Sequence, residues 1–550
     1  MNNTKMKKLG IVKPIARGNW DSDTTYLELN IVRYNNASYI SKKNSINIIP
    51  DGLDISSDYW KKLSEDGKDK MQSNEMDITY TKFYSDIPNN MNEYTLLATS
   101  SKNINFENGK IKCIDLGLET YLLDCDETAT IPKIPESYGN ALKFFTWNWE
   151  NSSGVQKDSI GCLAENQKLF VYDLDLDAFK MISSEANLMK AVKYIDNSDS
   201  ERIIFCGKKE AYAYDLLNLK KWIFKSTELR GVISYKTILI FVGENRVHYT
   251  RRHSYDVLLP IIYDYNPNGK FQGIEKIGED IYLFREFGIS RLFGLPIIRQ
   301  ISTDEEGNTT YIDTNDNVVT PPTSTINLIE DIPYSGGFIY NHTLCVCGNK
   351  ILFLASDGLY SFDGKTCKPI GLKLNIQPYK ISDGFVNNAE IYFYSAYFNN
   401  KFFLVYTDIN KEHKSIYIDL TDENNCGETY IPYGLTVSDG KVIVDNEREI
   451  SKIVANADLP IGEEYSFEVK GMDFDTIATK NIQYIMLRGD GICQLTLSSE
   501  QGESIAYYDF SESVNLTKEF NLQGTQFDLK LTLQKGCVIE KMSFKVSKES

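Results

Sequence analysis

The sequence predicts an all-β chain with three parts: a small N-terminal β module, a central β-propeller-like domain and a C-terminal antiparallel β-sandwich. Three observations carry this prediction. At 550 residues the chain exceeds what one ordinary core serves, so two to four domains are expected. Its 35 Tyr and 27 Phe, with abundant Ile and Val, favour strands over helices. A unit of apolar strand, tight turn and alternating strand also recurs through the middle of the chain.

Taken in order, residues 1–65 read as a small aromatic module. A Gly18-Asn19-Trp20 turn leads through Tyr26 to the alternating run Leu29–Tyr34, and Asn35-Asn36 supplies residues that tolerate the positive φ of a hairpin turn. Ala37–Lys42 forms the return strand, and a loop with Pro50 and Gly52 delivers Tyr59-Trp60. Residues 66–140 read as a linker and short strands leading into, and closing, the propeller; the charged stretch Lys61–Asp77 is its linker portion.

Residues 141–458 carry the repeat. Leu169–Leu174 is echoed by Ala211–Leu216 at an offset of 42 residues, and each is followed by a second strand, Phe179–Ile182 and Lys221–Phe224. Ile281–Phe284 with Ile289–Phe293, Ile351–Leu354 with Leu359–Phe362, and Phe402–Tyr406 with Ile416–Asp419 extend the series. A period near 42 with about four strands is the footprint of a propeller blade, and the span holds about five to seven. A pair of β-sandwiches is the rival architecture. The Thr-rich, acidic stretch 301–329 is too long for a plain connection and reads as an inter-blade hairpin or an arm reaching a neighbouring subunit. Residues 459–550 alternate regularly and predict the sandwich.

Two stretches carry a resemblance. The order Trp20, Tyr26, Tyr34, Tyr39, Tyr59-Trp60 resembles the small aromatic modules at the N-termini of bacteriophage tail and fibre proteins, which are relatives of chitin- and cellulose-binding modules. Glu28-Leu29-Asn30 stands where those modules carry Gly-Asp, and Asn35-Asn36 replaces their Asn-Gly turn. Phe467, Asp473, Phe474, Lys480, Arg488, Gly489 and Gly491 resemble the closing domain of virion propeller proteins, the podovirus tail nozzles and phage stabilisation proteins; Asp475 replaces their usual Gly. The resemblance implies a structural protein of a tailed-phage virion (tail, neck or baseplate), assembled in the host bacterial cytoplasm with other virion proteins and with copies of itself in a ring or trimer. It also implies host cell-surface glycan binding by Trp20, Tyr39, Tyr59 and Trp60, because flat aromatic faces stack on sugar C–H faces.

The remaining chemistry points away from catalysis. A formal charge of −17 disfavours sequence-specific nucleic-acid binding. No stretch approaches the roughly 18 apolar residues of a membrane span, and no secretory apolar region opens the chain, so neither membrane insertion nor signal-directed export is expected. The ten Cys read as buried thiols; Cys345 and Cys347 share a strand face, an arrangement that suits a metal or an unusual disulfide, but no second Cys pair or His stands at ligand spacing. The four His (248, 253, 342 and 413) lack partners at ligand spacing, and no cofactor or metal is expected. The basic run Thr250–His253 reads as a solvated rim. Asp173 with Asp175, and Asp357 with Asp363, are the carboxylate pairs a glycan depolymerase would use, but each Asp also suits a turn. The chain is expected to be a non-enzyme. An adhesion protein or a polysaccharide depolymerase is the alternative.

Overall fold

The computed structural model describes residues 15–548 except 35–36, 51–57, 63–74, 85–94, 115–116, 122–132, 151–155, 166–167, 174–177, 184–187, 196–200, 208–209, 215–218, 225–227, 382–389, 424, 439–440, 455–462 and 477. The Asn35-Asn36 turn, Asp175 and most of the Lys61–Asp77 linker lie outside the described residues.

Seven antiparallel blades of four strands each form the central domain, six as separate sheets and the sixth as part of a longer sheet. Numbered from Ala141, their innermost strands are Ala141–Glu150, Leu188–Ile195, Leu229–Tyr235, Phe271–Ile277, Cys345–Cys347, Phe393–Phe398 and Tyr433–Ser438. These strands pack blade to blade around a closed cycle: the second lies on the third, the third on the fourth, the fifth on the sixth, the sixth on the seventh and the seventh on the first. Between the first and second blades Phe145 meets Phe205 edge-on at 5.3 Å. The central domain is a seven-bladed β-propeller. Its seventh blade takes three strands from Tyr433–Val454 and its outer strand from Gly117–Thr120, which pairs with Glu449–Val454 and closes the ring.

Burial explains the repeated unit. The second strand of a blade is covered on both faces by neighbouring blades, so it reads as a continuous apolar run rather than an alternation. Every residue of Ile238–Gly243, and Ile351–Ala355 in the fifth blade, is buried. The sequence repeat proves to be in two phases. Leu169–Ile182 and Ala211–Phe224 cover the third and fourth strands of their blades, whereas the later pairs are second and third strands. Stretch 301–329 is an insertion within the fourth blade, not between blades. The three-stranded meander Ile298–Thr303, Thr309–Asp313 and Val318–Val319 separates that blade's third strand from its fourth, Ile329–Ile332.

The base of this meander is fixed by a buried guanidinium. Arg285, fully buried, donates from Nε and Nη2 to Asp264 at 3.2 and 3.0 Å, and Thr325 donates to the same carboxylate at 2.8 Å. Such a fork satisfies a buried charge pair that would otherwise cost several kcal/mol.

The C-terminal sandwich draws on both ends of the chain. One sheet, in the order Ile104–Glu107, Lys110–Cys113, Val538–Lys548, Lys480–Asp490, Asn515–Gly524, also pairs Glu75–Tyr80 along Val538–Lys548. Strands of the expected linker region 66–140 thus belong to this sandwich. The facing sheet contains Tyr465–Met472, Phe527–Leu533, Ile492–Ser499 and Gly502–Asp509, and it continues through Ser100–Lys102 into the sixth blade, giving nine strands in one sheet. The join has a parallel pairing of Lys102 with Glu428 and is bolted by Asn103. Asn103 is fully buried with φ 56°, a conformation Asn tolerates better than most residues. Its side chain donates to Glu464 O at 2.9 Å and accepts from Thr429 Oγ1 and Tyr430 N at 3.1 and 2.9 Å. Lys480 is wholly buried; its ammonium donates to the carbonyls of Thr476, Ala478 and Thr525 at 2.8–3.0 Å. Phe474 packs in the core against Phe527 and Phe544.

Replacing Asn103 by Leu leaves buried donors and acceptors of two domains unmet. It is expected to lower the unfolding free energy by about 2–4 kcal/mol. Urea titration followed by tryptophan fluorescence measures this, and an unchanged midpoint would contradict the bolt.

Candidate functional site

The N-terminal module places the four predicted aromatics unequally. Its sheet runs Ile15–Asn19, Asn30–Tyr34, Ala37–Ser41, Trp60–Lys62. Tyr39 and Trp60 are 4% and 3% exposed and form the module's core with Tyr26 and Val32. Trp60 donates its indole N–H to Ile48 O at 2.8 Å and packs edge-on against Tyr26 at 5.4 Å. Neither ring offers a free face to a sugar. Trp20 and Tyr59 are half-buried at the margin of that core. Trp20 lies edge-on to Tyr34 at 5.5 Å, and the Lys43 ammonium sits 4.3 Å from the centre of the Tyr59 ring.

The structure therefore divides the set: Tyr39 and Trp60 hold the module together, and Trp20 and Tyr59 alone retain accessible surface. Sequence reasoning missed three exposed apolar residues among the described residues of the module, Leu27, Ile46 and Ile49.

A second concavity, about 450 Å³, opens at the seam between the sixth and seventh blades and the sandwich. Its wall includes Lys102, His413, Glu428, Tyr433, Asp445 and Glu463. Lys102 and Glu463 pair at 2.8 Å, and His413 packs edge-on against Tyr433 at 4.9 Å. Asp445 is almost fully buried and accepts from the backbone N–H groups of Ala141 and Arg448, both at 2.6 Å. Burial pushes its carboxyl up to about 6, opposed by those two hydrogen bonds. Both oxygens are thus engaged in joining the closing blade to the first blade, which suits a structural carboxylate rather than an acid–base catalyst.

The carboxylate pairs singled out from sequence behave similarly. Asp357 accepts from Gly337 N and Tyr360 Oη at 2.8 and 2.9 Å, and Asp363 accepts from the backbone of Lys365 and Thr366 at 2.9 and 2.7 Å. Asp363 closes its own turn, and Asp357 ties its turn to the strand-leading segment at Gly337. The sulfurs of Cys345 and Cys347 lie 3.9 Å apart, and no cluster of three metal-ligating side chains occurs among the described residues. In the basic run 250–253, Thr250 is wholly buried and His253 turns the chain with φ 53°. Nearby, Arg202 and Lys220 lie 4.8 and 5.2 Å from the Tyr255 ring. Among the described residues no helix is long and apolar enough to cross a membrane.

No protein-family model and no curated protein sequence matches the chain. Solved β-propellers resemble it in fold. BBS1N, from a crystal structure in complex with ARL6DN, is 10% identical over 63% of this chain and 99% of its own, with a TM-score of 0.32. The β-propeller domain of Myceliophteria thermophila Cps50 (Swd1) is 9% identical over 59% and 99%, with a TM-score of 0.33. BamB from Moraxella catarrhalis is 9% identical over 54% and 80%, with a TM-score of 0.29. The order of strands in the seven blades establishes the propeller.

Two measurements follow. Trp60→Ala is expected to unfold the module, at a cost of about 3–5 kcal/mol, whereas Tyr59→Ala should leave it folded. Heteronuclear NMR of the full chain, read at module resonances, separates the two, and a folded Trp60→Ala module would contradict its core role. For Asp445, the folded carboxyl titrates above its unfolded value of 3.8, so the native state holds the extra proton between about pH 4 and pH 6. Its contribution to stability is full below pH 4 and is lost as pH rises through 6. Asp445→Asn should flatten that part of the stability–pH profile, by on the order of 2 kcal/mol. An identical slope in the variant would assign the effect elsewhere.

Proposed function

We propose that the chain is a non-enzymatic structural component of a tailed-bacteriophage virion, built into the tail, neck or baseplate. The observation that best supports this reading is the nine-stranded sheet running from the sixth blade into the sandwich. It makes propeller and sandwich one stiff body, suited to bearing load between neighbours. The meander at 298–319 and the aromatic module are its natural contact elements. Val318, in the meander, and Ile326, just beyond it, are 75% and 70% exposed, as contact residues of an assembly would be before burial. The partners are other virion proteins and further copies of the chain in a ring or trimer. The likeness of both ends of the sequence to phage proteins supports the virion setting.

The accessible edges of Trp20 and Tyr59 favour a secondary role in adhesion to host-surface glycan. In that reading a Tyr59→Ala chain should adsorb several-fold more weakly to host cell walls than the parent. Depolymerase activity would show itself as oligosaccharide released from host capsule.

Virions purified by density gradient from the host that makes this chain are expected to contain it stoichiometrically by mass spectrometry. Particles lacking it would overturn the proposal.

A further inference from the structure

The cavity where the sixth and seventh blades meet the sandwich is not used by the virion reading. Its volume of about 450 Å³ lies within the range of about 300–1,000 Å³ that small-molecule sites occupy. Its wall carries four carboxylates, Glu428, Asp445, Glu447 and Glu463, against two ammonium groups, Lys102 and Lys414. The chain around it has a formal charge of −17. A concavity with this balance of charge draws cations.

The donors of this wall are engaged. Lys102 pairs with Glu463 at 2.8 Å, and Lys414 pairs with Glu412 at 2.7 Å. Asn140 Nδ2 donates to Glu165 at 2.7 Å, Ser415 Oγ to Ile431 O at 3.1 Å, and Thr429 Oγ1 to Asn103 at 3.1 Å. The acceptors are open. Among the described residues the carboxylates of Glu428 and Glu447 hold no hydrogen bond or ion pair. Asp445 is 1% exposed and accepts only from the backbone of Ala141 and Arg448. The Arg448 guanidinium turns instead to Glu136, at 2.9 Å, so no described cation pairs with the buried carboxylate. Buried charge is normally paired. Burial pushes Asp445 up only to about 6, which leaves it anionic above neutral pH.

We propose that this seam cavity binds a small aliphatic polyamine, whose ammonium groups donate to Glu428 and Glu447 while Asp445 supplies buried counter-charge. The state of the wall decides the class. A ligand that only donates suits open acceptors beside engaged donors, whereas a sugar hydroxyl also needs donors that the wall lacks. An inorganic ion is disfavoured, because no three of the described carboxylates, imidazoles or thiols converge to ligate one. Charge spread in this way is met by a chain that carries several ammonium groups. Burial and the charges of Glu463 and Glu447 raise the Tyr430 hydroxyl, which places that ring beside both carboxylates. Tyr433, edge-on to His413 at 4.9 Å, adds a second aromatic wall, and such rings hold organic ammonium groups well.

Isothermal titration of the full chain with putrescine and with spermidine, above neutral pH and at constant ionic strength in sodium chloride, tests the site. The expected result is one saturable site per chain and an amine-dependent rise in Tm, with no heat from butanediol, the uncharged analogue of putrescine. Glu428→Gln combined with Glu447→Gln should weaken binding by about tenfold or more and leave the ligand-free Tm unchanged, since both side chains are exposed. Glu305→Gln combined with Glu306→Gln removes equal charge from the exposed meander and should bind as the parent does. Three results would overturn the site: no saturable heat from either amine, equal binding of butanediol, or equal weakening by the two double variants, which would assign the binding to diffuse surface charge.

Discussion

The architecture depends on how a single buried amide joins two domains. Asn103 stands where the chain leaves Ser100–Lys102, wedged between the sixth blade and Tyr465–Met472, and turns into the opposite sheet of the sandwich. The positive φ at this residue lets the chain change sheets within one step. The amide meanwhile binds backbone from both sides, at Glu464 and Tyr430. Its neighbour Asn425 repeats the device, accepting from Phe106 N at 2.8 Å and Tyr417 Oη at 3.0 Å. A sheet join with so little ladder pairing would be weak on backbone hydrogen bonds alone. Two fully engaged amides make it specific, because any slip in register orphans several buried groups at once.

Apolar packing follows the same route. The largest core cluster runs from the sandwich, with Phe467, Leu495 and Phe544, into the inner faces of the blades, with Leu142, Phe205, Phe403 and Leu435. Propeller and sandwich therefore share one interior. The N-terminal module has a separate small core, and the described ion pair linking it to the sandwich is Arg33 with Asp473, at 3.6 Å on a partly exposed surface. Pairs of that kind contribute little. The molecule thus combines a unitary body with a module that has its own core.

Much of the fold was legible in the sequence because burial writes itself as pattern. Runs such as Ile351–Leu354 are apolar throughout since both their faces are covered, and Ser356-Asp357-Gly358 marks the turn that follows. The phase of the repeat was harder to read, because second and third strands look alike when both are flanked by tight turns. The third blade escaped notice: its outer strand is only Ile262–Tyr263, separated from Arg246–Tyr249 by a loop of twelve residues. Glu75–Tyr80 and Lys110–Cys113 could not be placed, since their partners lie more than 400 residues away and local alternation carries no address. In the module the aromatic order was legible but its use was not. A ring that binds sugar and a ring that fills a core have the same spacing, and only burial distinguishes Trp60 from Tyr59.

The sandwich's dual origin also sets a timetable for synthesis. Glu75–Tyr80 and Lys110–Cys113 leave the ribosome long before Val538–Lys548, the strand that pairs with both. At ordinary translation rates that interval is roughly 20–90 s. Gly117–Thr120 waits similarly for Glu449–Val454. During this wait the six intervening blades can form in sequence, each on the last, while early strands stand with open edges inviting intermolecular pairing. Productive maturation thus becomes a race between ring closure and aggregation. A chain stopped short of its final strand would lose that race, even with every blade intact.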